Sequence, residues 1–381
     1  MKFIELFKED FTPDYLKIFS LPSFCDMAAT KQSAKWHKEG DVRNHTVLVT
    51  ENMMKLCDNV GVERGSEKWI TLISAAICHD IGKPTSTFFD NETKDYKCVC
   101  HGKEGEKITR RMFYDEDFML REKVCYMVRH HMVLHHIFDK CCYEYKIKEM
   151  SWGLVPFYDM VMLNIADCMG SKNEIQSDED IQAHFTKLCQ IADVHLGCVN
   201  TPYEFKDTYH RLCKFFTDID EDCVDTPENY GDFTIYVMVG LPGAGKDTWI
   251  KNNLQDKKII CRDDIRTRIG IKGEKPQGDS KQEKQVTEIA KFALEEACKN
   301  REDVVINNTN LKKEYRKEYI RAAVKYGARV VYVYVEAPAV EDNLKRREGM
   351  IPQNVIENML DNFEFPYPIE YDEIIYAVQK K

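Results

Sequence analysis

The sequence predicts two domains, an all-α domain followed by an α/β domain built on a parallel sheet. Three observations carry this. The chain has 381 residues, enough for two or three domains that each bury a core. Up to about residue 215 the apolar runs have helical length and deliver a His or Asp at one end. Beyond the acidic stretch from Asp218 to Glu228, strand-length apolar runs alternate with helical ones. That stretch ends in Thr226-Pro227-Glu228-Asn229 and has no period, so the domains are expected at 1–216 and 232–381, joined by a linker at 217–231.

Composition narrows the class. Hydrophobic residues make up 43% and charged residues 31%, a globular balance, and no run approaches the roughly 18 apolar residues of a membrane span. The N-terminus, Met1-Lys2-Phe3-Ile4-Glu5, carries an acid too early for a signal peptide, so a cytoplasmic protein is expected. The 15 cysteines are scattered and read as reduced thiols; Cys98/Cys100 and Cys141/Cys142 lack the two-residue spacing of a zinc site. A net charge of −10 argues against a protein that coats nucleic acid nonspecifically and leaves room for brief contact with a strand end.

In the first domain, Trp69 to Cys78 reads as an apolar helix running into His79-Asp80. A second helix, roughly Arg121 to His131, ends at paired histidines, and a third, Phe157 to Ala166, runs into Asp167. Rigid helices that aim polar side chains inward are what an all-helical metal site needs. In the second domain, strands are expected at Phe233 to Val239, Lys258 to Cys261, Val304 to Ile306, Arg329 to Val335 and Ile374 to Val378. Helices fall between them from Asp247 to Asn253, Gln282 to Asn300 and Lys312 to Tyr326. Buried strands with crossover helices mean a parallel sheet.

The run Gly240-Leu241-Pro242-Gly243-Ala244-Gly245-Lys246 follows the first of these strands and opens a helix. Backbone N–H groups and the lysine ammonium of such a P-loop surround nucleotide phosphates at a helix N-terminus. The next position is normally Ser or Thr, a magnesium ligand; here it is Asp247, with Thr248 one place later. After the second strand, Cys261-Arg262-Asp263-Asp264-Ile265-Arg266 places acids and arginines at the carboxyl edge of the sheet, where substrates sit in open α/β folds.

This segment resembles the polynucleotide 5'-kinase family of P-loop phosphotransferases. The resemblance implies that Asp263 is the general base and Arg266 the clamp on the phosphate next to the 5' end, with Arg262 beside them. It continues at Asn308-Thr309-Asn310, where the family has Asp-Thr-Asn, and at Leu344 to Pro352, which is similar to its arginine-bearing lid. Arg346 and Arg347 would there neutralise charge on the transferred phosphoryl group. ATP or another nucleoside triphosphate with Mg2+ is the implied cofactor. Because the family acid has become Asn308 while the loop hydroxyl has become Asp247, Asp247 is expected to take part in magnesium binding.

In the first domain His45, His79, Asp80 and Asp167 lie far apart in sequence, as a metal site assembled from several helices should. Imidazoles with carboxylates suit a divalent ion such as Mn, Ni, Co, Fe or Mg better than structural zinc. The set resembles the HD phosphohydrolase superfamily, and both Trp36 to Thr46 and His79-Asp80-Ile81-Gly82-Lys83-Pro84 look like versions from its nucleotidyltransferase-associated branch. His101 and the His130-His131 pair supply the extra histidines that two-metal members use. The pattern favours His131, with the choice between His130 and His131 left open. Lys83 is placed to meet a phosphate oxygen, and His37, His135, His136, His184 and His195 count as ordinary histidines.

Taken together, the chain resembles bacterial and phage end-healing enzymes in which an HD module is fused to a P-loop polynucleotide kinase. The resemblance implies removal of a 2',3'-cyclic or 3' phosphate by the first domain and phosphorylation of a 5' hydroxyl by the second. The implied partners are RNA or DNA ends and a ligase that joins them, with no membrane. Two other readings use the same residues: a small-molecule kinase fused to a nucleotide phosphohydrolase, and an HD hydrolase gated by a nucleotide-sensing P-loop domain.

Overall fold

A computed structural model describes residues 1–139, 141–171, 177–271, 280–346 and 351–379. The chain divides into two units, Met1–Glu204 and Phe205–Lys381. The first is helical, with α1 (Tyr15–Ile18), α2 (Val42–Asn59), α3 (Glu67–Cys78) and α4 (Lys83–Ser86) leading to a small antiparallel hairpin of β1 (Thr87–Asp90) and β2 (Asp95–Cys98). There follow α5 (His101–Met112), α6 (Phe118–His130), a 3-10 stretch over His131–Asp139, α7 (Tyr143–Ser151), α8 (Phe157–Gly170) and α9 (Asp178–Gln190).

Polar caps set where the principal helices begin. Asp41 accepts from Asn44 N ahead of α2, Ser66 from Trp69 N ahead of α3, and Asp117 from Met119 N and Leu120 N ahead of α6. From Trp69 onward α3 is apolar on nearly every side, so it is buried among α2, α6 and α8. A buried ion network binds α5 to α6: Arg110 contacts Glu106 at 2.8 Å and Glu122 at 2.7 Å, Arg121 contacts Glu122 at 2.9 Å, and Arg129 pairs with Glu106. Each buried charge has an opposite partner, the condition for keeping it there. One boundary differs from expectation: α8 continues to Gly170, so Asp167 projects from its last turn instead of following it.

The second unit contains α10 (Thr208–Phe216), β3 (Thr234–Val239), α11 (Lys246–Asn253), β4 (Lys258–Ile260), α12 (Arg262–Arg268), α13 (Ser280–Lys299) and β5 (Val304–Ile306). It ends with α14 (Lys313–Tyr326), β6 (Arg329–Glu336), α15 (Val340–Arg346), α16 (Gln353–Asp361) and β7 (Glu373–Val378). The five strands of its sheet are all parallel in the order β4-β5-β3-β6-β7, with Tyr236 of β3 aligned to Val305 of β5 and Val331 of β6. β5 is buried throughout and β6 is buried after Arg329, as strands covered on both faces must be.

The division at Glu204/Phe205 lies upstream of the boundary expected at 216. Side-chain chemistry explains it. Arg211 of α10 donates to Tyr371 O at 2.5 Å, Arg321 donates to Phe216 O at 2.9 Å, and the Tyr209 ring lies 5.4 Å from that of Tyr230. The stretch 217–231, expected as a linker, is pinned to the same unit where Gly231 N donates to Gly327 O at 2.9 Å and Tyr230 donates to Asp372 at 2.7 Å. Hydrophobic periodicity does not register such cross-chain bonds.

Candidate functional site

Five helical elements converge on a cluster of buried imidazoles and carboxylates in the first unit. α2 contributes His45 from its first turn, and the end of α3 delivers His79 and then Asp80. α5 begins with His101, His131 follows α6, and Asp167 comes from α8. The turn after Asp80 can approach α5 closely because of a glycine: a Cβ on Gly82 would lie 2.2 Å from His101 O.

Asp80 stands at the centre. Its Oδ2 is 3.2 Å from His79 Nε2 and 3.6 Å from His45 Nε2, while its Oδ1 is 3.4 Å from His101 Nε2 and 3.8 Å from His131 Nε2. Asp167 Oδ1 is 2.9 Å from His45 Nε2 and 3.8 Å from His79 Nε2. Among the described residues Asp80 belongs to two of the ligand groups, His45/His79/Asp80 and Asp80/His101/His131, each with its ligand atoms within 4.8 Å of one another. His130 is in neither; its ring lies 4.8 Å from Tyr126.

The rings are aimed by their other nitrogens. His79 Nδ1 lies 2.8 Å from Ala76 O and His131 Nδ1 lies 2.7 Å from Val128 O; a carbonyl only accepts, so each Nδ1 carries the proton and Nε2 presents its lone pair to the cluster. His45 Nδ1 is 2.9 Å from Glu39 Oε1, with the same consequence once the ring is neutral. The residues fit a divalent ion: His79 Nε2 and both Asp80 oxygens are buried without a directed hydrogen bond, which is where a cation supplies the missing partner. Lys83 Nζ sits 2.6 Å from Asp80 Oδ2 and 2.7 Å from Gln32 Oε1, so in this state it balances the carboxylate.

The electrostatics split the histidines. Burial opposes charge on His45, but the Asp167 and Glu39 carboxylates outweigh it and raise its pKa to about 9. Burial is likewise overcome at His135, raised to about 10 by Asp167 and Cys168. At His101 burial wins and the pKa falls to about 4, and His131 is pushed well below its usual value by burial and by its histidine neighbours. Burial would raise the carboxyls, yet His79 and Lys83 hold Asp80, and His135 and His45 hold Asp167, well below the usual range.

Three residues at this site were missed from the sequence. Glu39 holds His45, His37 Nδ1 lies 2.7 Å from Glu39, and His135 Nε2 lies 2.9 Å from Asp167 Oδ2, so His37 and His135 are not ordinary histidines. His37 and Glu39 fall inside the Trp36 to Thr46 run, but in a loop without period. His135 stands beside His136 on the 3-10 stretch, with nothing in its spacing to separate the two.

In the second unit the phosphate loop joins β3 to α11. Lys246 Nζ donates to Gly240 O and Leu241 O, both at 2.9 Å. Asp247 accepts from Asn307, directly after β5, at 2.7 Å, and Thr248 is exposed on α11. Beside it, Arg266 uses Nε and Nη2 on Glu283 at 2.7 and 2.9 Å, leaving Nη1 to reach Asp263 at 2.5 Å. Arg262 reaches Thr287 at 2.8 Å and Glu283 at 3.4 Å, and its backbone N–H donates to Asn308 Oδ1 at 3.1 Å. Glu283 is a further residue the sequence did not signal. The Asp263 side chain is 81% exposed. Arg346 donates to Gly243 O of the loop at 3.0 Å; Arg347 lies outside the described residues.

Among known proteins, a family model described as HD domain matches residues 42–193, and one described as AAA domain matches residues 235–366. An L-seryl-tRNA(Sec) kinase of Methanococcus maripaludis is 26% identical over 141 residues, 35% of this chain and 53% of the relative. The heterogeneous nuclear ribonucleoprotein U-like protein 2 of Mus musculus is 22% identical over 170 residues, 41% of this chain and 23% of the relative. The chain thus spans about half the length of the first of these relatives and less of the second. A solved structure of the Pnkp1/Rnl/Hen1 RNA repair complex aligns with a TM-score of 0.32 at 21% identity, over 38% of this chain and 50% of that one. A second Pnkp1/Rnl/Hen1 complex aligns at 0.28 and 22%, over 32% and 41%. Among the described residues no helix is long and apolar enough to cross a membrane. The chain carries an HD domain followed by a P-loop kinase domain of the AAA type.

Proposed function

We propose that the protein heals broken polynucleotide ends, phosphorylating 5' hydroxyls with its P-loop domain and removing 2',3'-cyclic or 3' phosphates with its HD domain. The observation that carries this reading is the Asp263–Arg266 pair, 2.5 Å apart on the helix that opens at the carboxyl edge of β4. In the proposed kinase reaction Asp263 accepts the proton of the attacking 5' hydroxyl, whose oxygen bonds to the γ-phosphorus as ADP leaves. Arg266, already held by Glu283, meets the phosphate next to that end with its remaining N–H groups. Arg346 and Lys246 balance charge on the transferred group.

In the HD domain His45, His79, Asp80, His101, His131 and Asp167 would hold one or two divalent ions. When bound, such ions acidify a water and polarise a phosphoryl oxygen. Lys83 is placed to exchange its contact with Asp80 for one with the substrate phosphate, and the burial of the cluster excludes bulk water. The products would be ends that a ligase can join.

The similarity to an L-seryl-tRNA(Sec) kinase favours a second acceptor, a hydroxyl carried on an aminoacylated tRNA. One experiment separates the two. The protein is incubated with magnesium and γ-labelled ATP together with a 5'-hydroxyl oligonucleotide or seryl-tRNA, as wild type, Lys246→Ala and His79→Ala. Label on the oligonucleotide, lost in Lys246→Ala and kept in His79→Ala, is the expected result. Label on seryl-tRNA alone moves the assignment to the second acceptor, and label on neither removes both.

A further inference from the structure

Gln379, the residue after β7, uses both ends of its side-chain amide. Its Nε2 donates to Ala244 O of the phosphate loop at 3.1 Å, and its Oε1 accepts from Arg346 Nη2 at 3.3 Å. Through Nη1 the same arginine reaches Gly243 O. The main chain holds Gln379 in place, because its N–H donates to Glu336 O at 3.0 Å and so extends the β6–β7 pairing by one residue. The approach depends on a glycine: Gly245 has φ +103°, and a Cβ there would lie 2.8 Å from Gln379 Nε2.

A trans peptide turns its C=O and N–H to opposite sides. Anchoring Ala244 O on Gln379 therefore aims the Gly245 N–H of the same peptide away from Gln379. Backbone donors of such a turn receive phosphate oxygens. The peptide before it is committed elsewhere, since Ala244 N–H donates to Leu241 O at 3.2 Å. The orientation of one loop peptide thus depends on a side chain 135 residues away in the sequence.

We propose that Gln379 is a positioning residue for the donor triphosphate. It aims Gly245 N–H at the phosphates and holds Arg346 against the loop until the nucleotide draws that arginine over. The inference rests on the nucleotide-binding role of the P-loop and is independent of the phosphoryl acceptor.

The test is direct binding to the full-length protein, with a fluorescent ATP analogue displaced by ATP and, separately, by inorganic tripolyphosphate. Gln379→Ala removes the amide, whereas Gln379→Met keeps the length of the side chain without a donor or a charge. Loss of one such hydrogen bond is expected to weaken ATP and tripolyphosphate in both variants by one common factor of about 3 to 10. Weakening of ATP alone would place Gln379 at the nucleoside and overturn the proposal. So would unchanged affinities, or a loss in Gln379→Ala that Gln379→Met restores, which would mark packing as the cause. Intact binding in wild type without transfer to any oligonucleotide would remove the end-healing assignment and leave this inference standing.

Discussion

Asn307 donates its side-chain amide to Asp247 at 2.7 Å, joining the start of α11 to the end of β5. Those are the two places from which P-loop enzymes usually hold magnesium, one with a hydroxyl and the other with an acid. Here the acid stands on the helix, and two amides follow the strand, Asn307 bonded to Asp247 and Asn308 at the position of the family acid. Asp247→Ala is expected to raise the magnesium concentration for half-maximal phosphoryl transfer by at least about tenfold. Mn2+ binding to the nucleotide complex, followed by electron paramagnetic resonance, should weaken in parallel; an unchanged Mn2+ affinity would remove Asp247 from the magnesium site.

Asp80 offers one oxygen to each ligand group, and this makes its loss different in kind from the loss of a histidine. Asp80→Asn is expected to lower the bound transition metal of both groups and to reduce phosphoester hydrolysis by about 10³-fold or more, a scale expected when the activated water is lost. His101→Ala should lower the metal content by about one ion and leave the His45/His79 group filled. Elemental analysis of the two purified variants decides this, and equal metal loss in both would contradict the shared carboxylate.

Metal uptake should depend on pH through His45. Its pKa of about 9 means that it is protonated at neutral pH in the metal-free protein, yet only the neutral ring can ligate. Binding should therefore release protons at pH 7 and tighten as pH rises toward 9. Calorimetry in two buffers of different ionisation enthalpy counts those protons. Without metal the sign reverses: because the folded pKa exceeds the unfolded value of about 6.5, the His45 pairing stabilises the fold fully below pH 6.5 and is lost as pH rises through 9.

The second unit should need α10. A fragment beginning at 205 is expected to melt cooperatively. One beginning at 232 loses the buried Tyr209, Leu212, Phe215 and Phe216 together with the Arg211 contact to Tyr371, a loss on the order of 5 kcal/mol. Thermal denaturation of the two fragments compares them, and equal midpoints would return α10 to the first domain, where the sequence places it.

The fold was legible wherever hydrophobic period and length agreed. β3, β5, β6 and α3 fall within a residue or two of expectation, because strands and helices buried on every side leave long apolar runs. Of the cluster ligands, His79, Asp80, His131 and Asp167 were legible because each stands at or near the end of an apolar helical run, whereas His45 and His101 stand at helix starts and were singled out by resemblance. Glu39, His135 and Glu283 were not, since each acts by touching a residue distant in sequence and interrupts no pattern. The same holds for α10: its period announces a helix, but only Arg211 and Tyr209 decide which unit it joins.

His79 and His131 are steered by carbonyls three residues behind them, part of the main chain and present whatever the side chains are. Exchange of neighbouring residues cannot redirect these rings while the helices persist, so their aim tolerates sequence drift. His45 differs, because its aim is entrusted to Glu39 in a loop. A relative could keep every histidine and aspartate of the motif and still lose the direction of one ligand through that single glutamate, and a motif tally would count its site as intact.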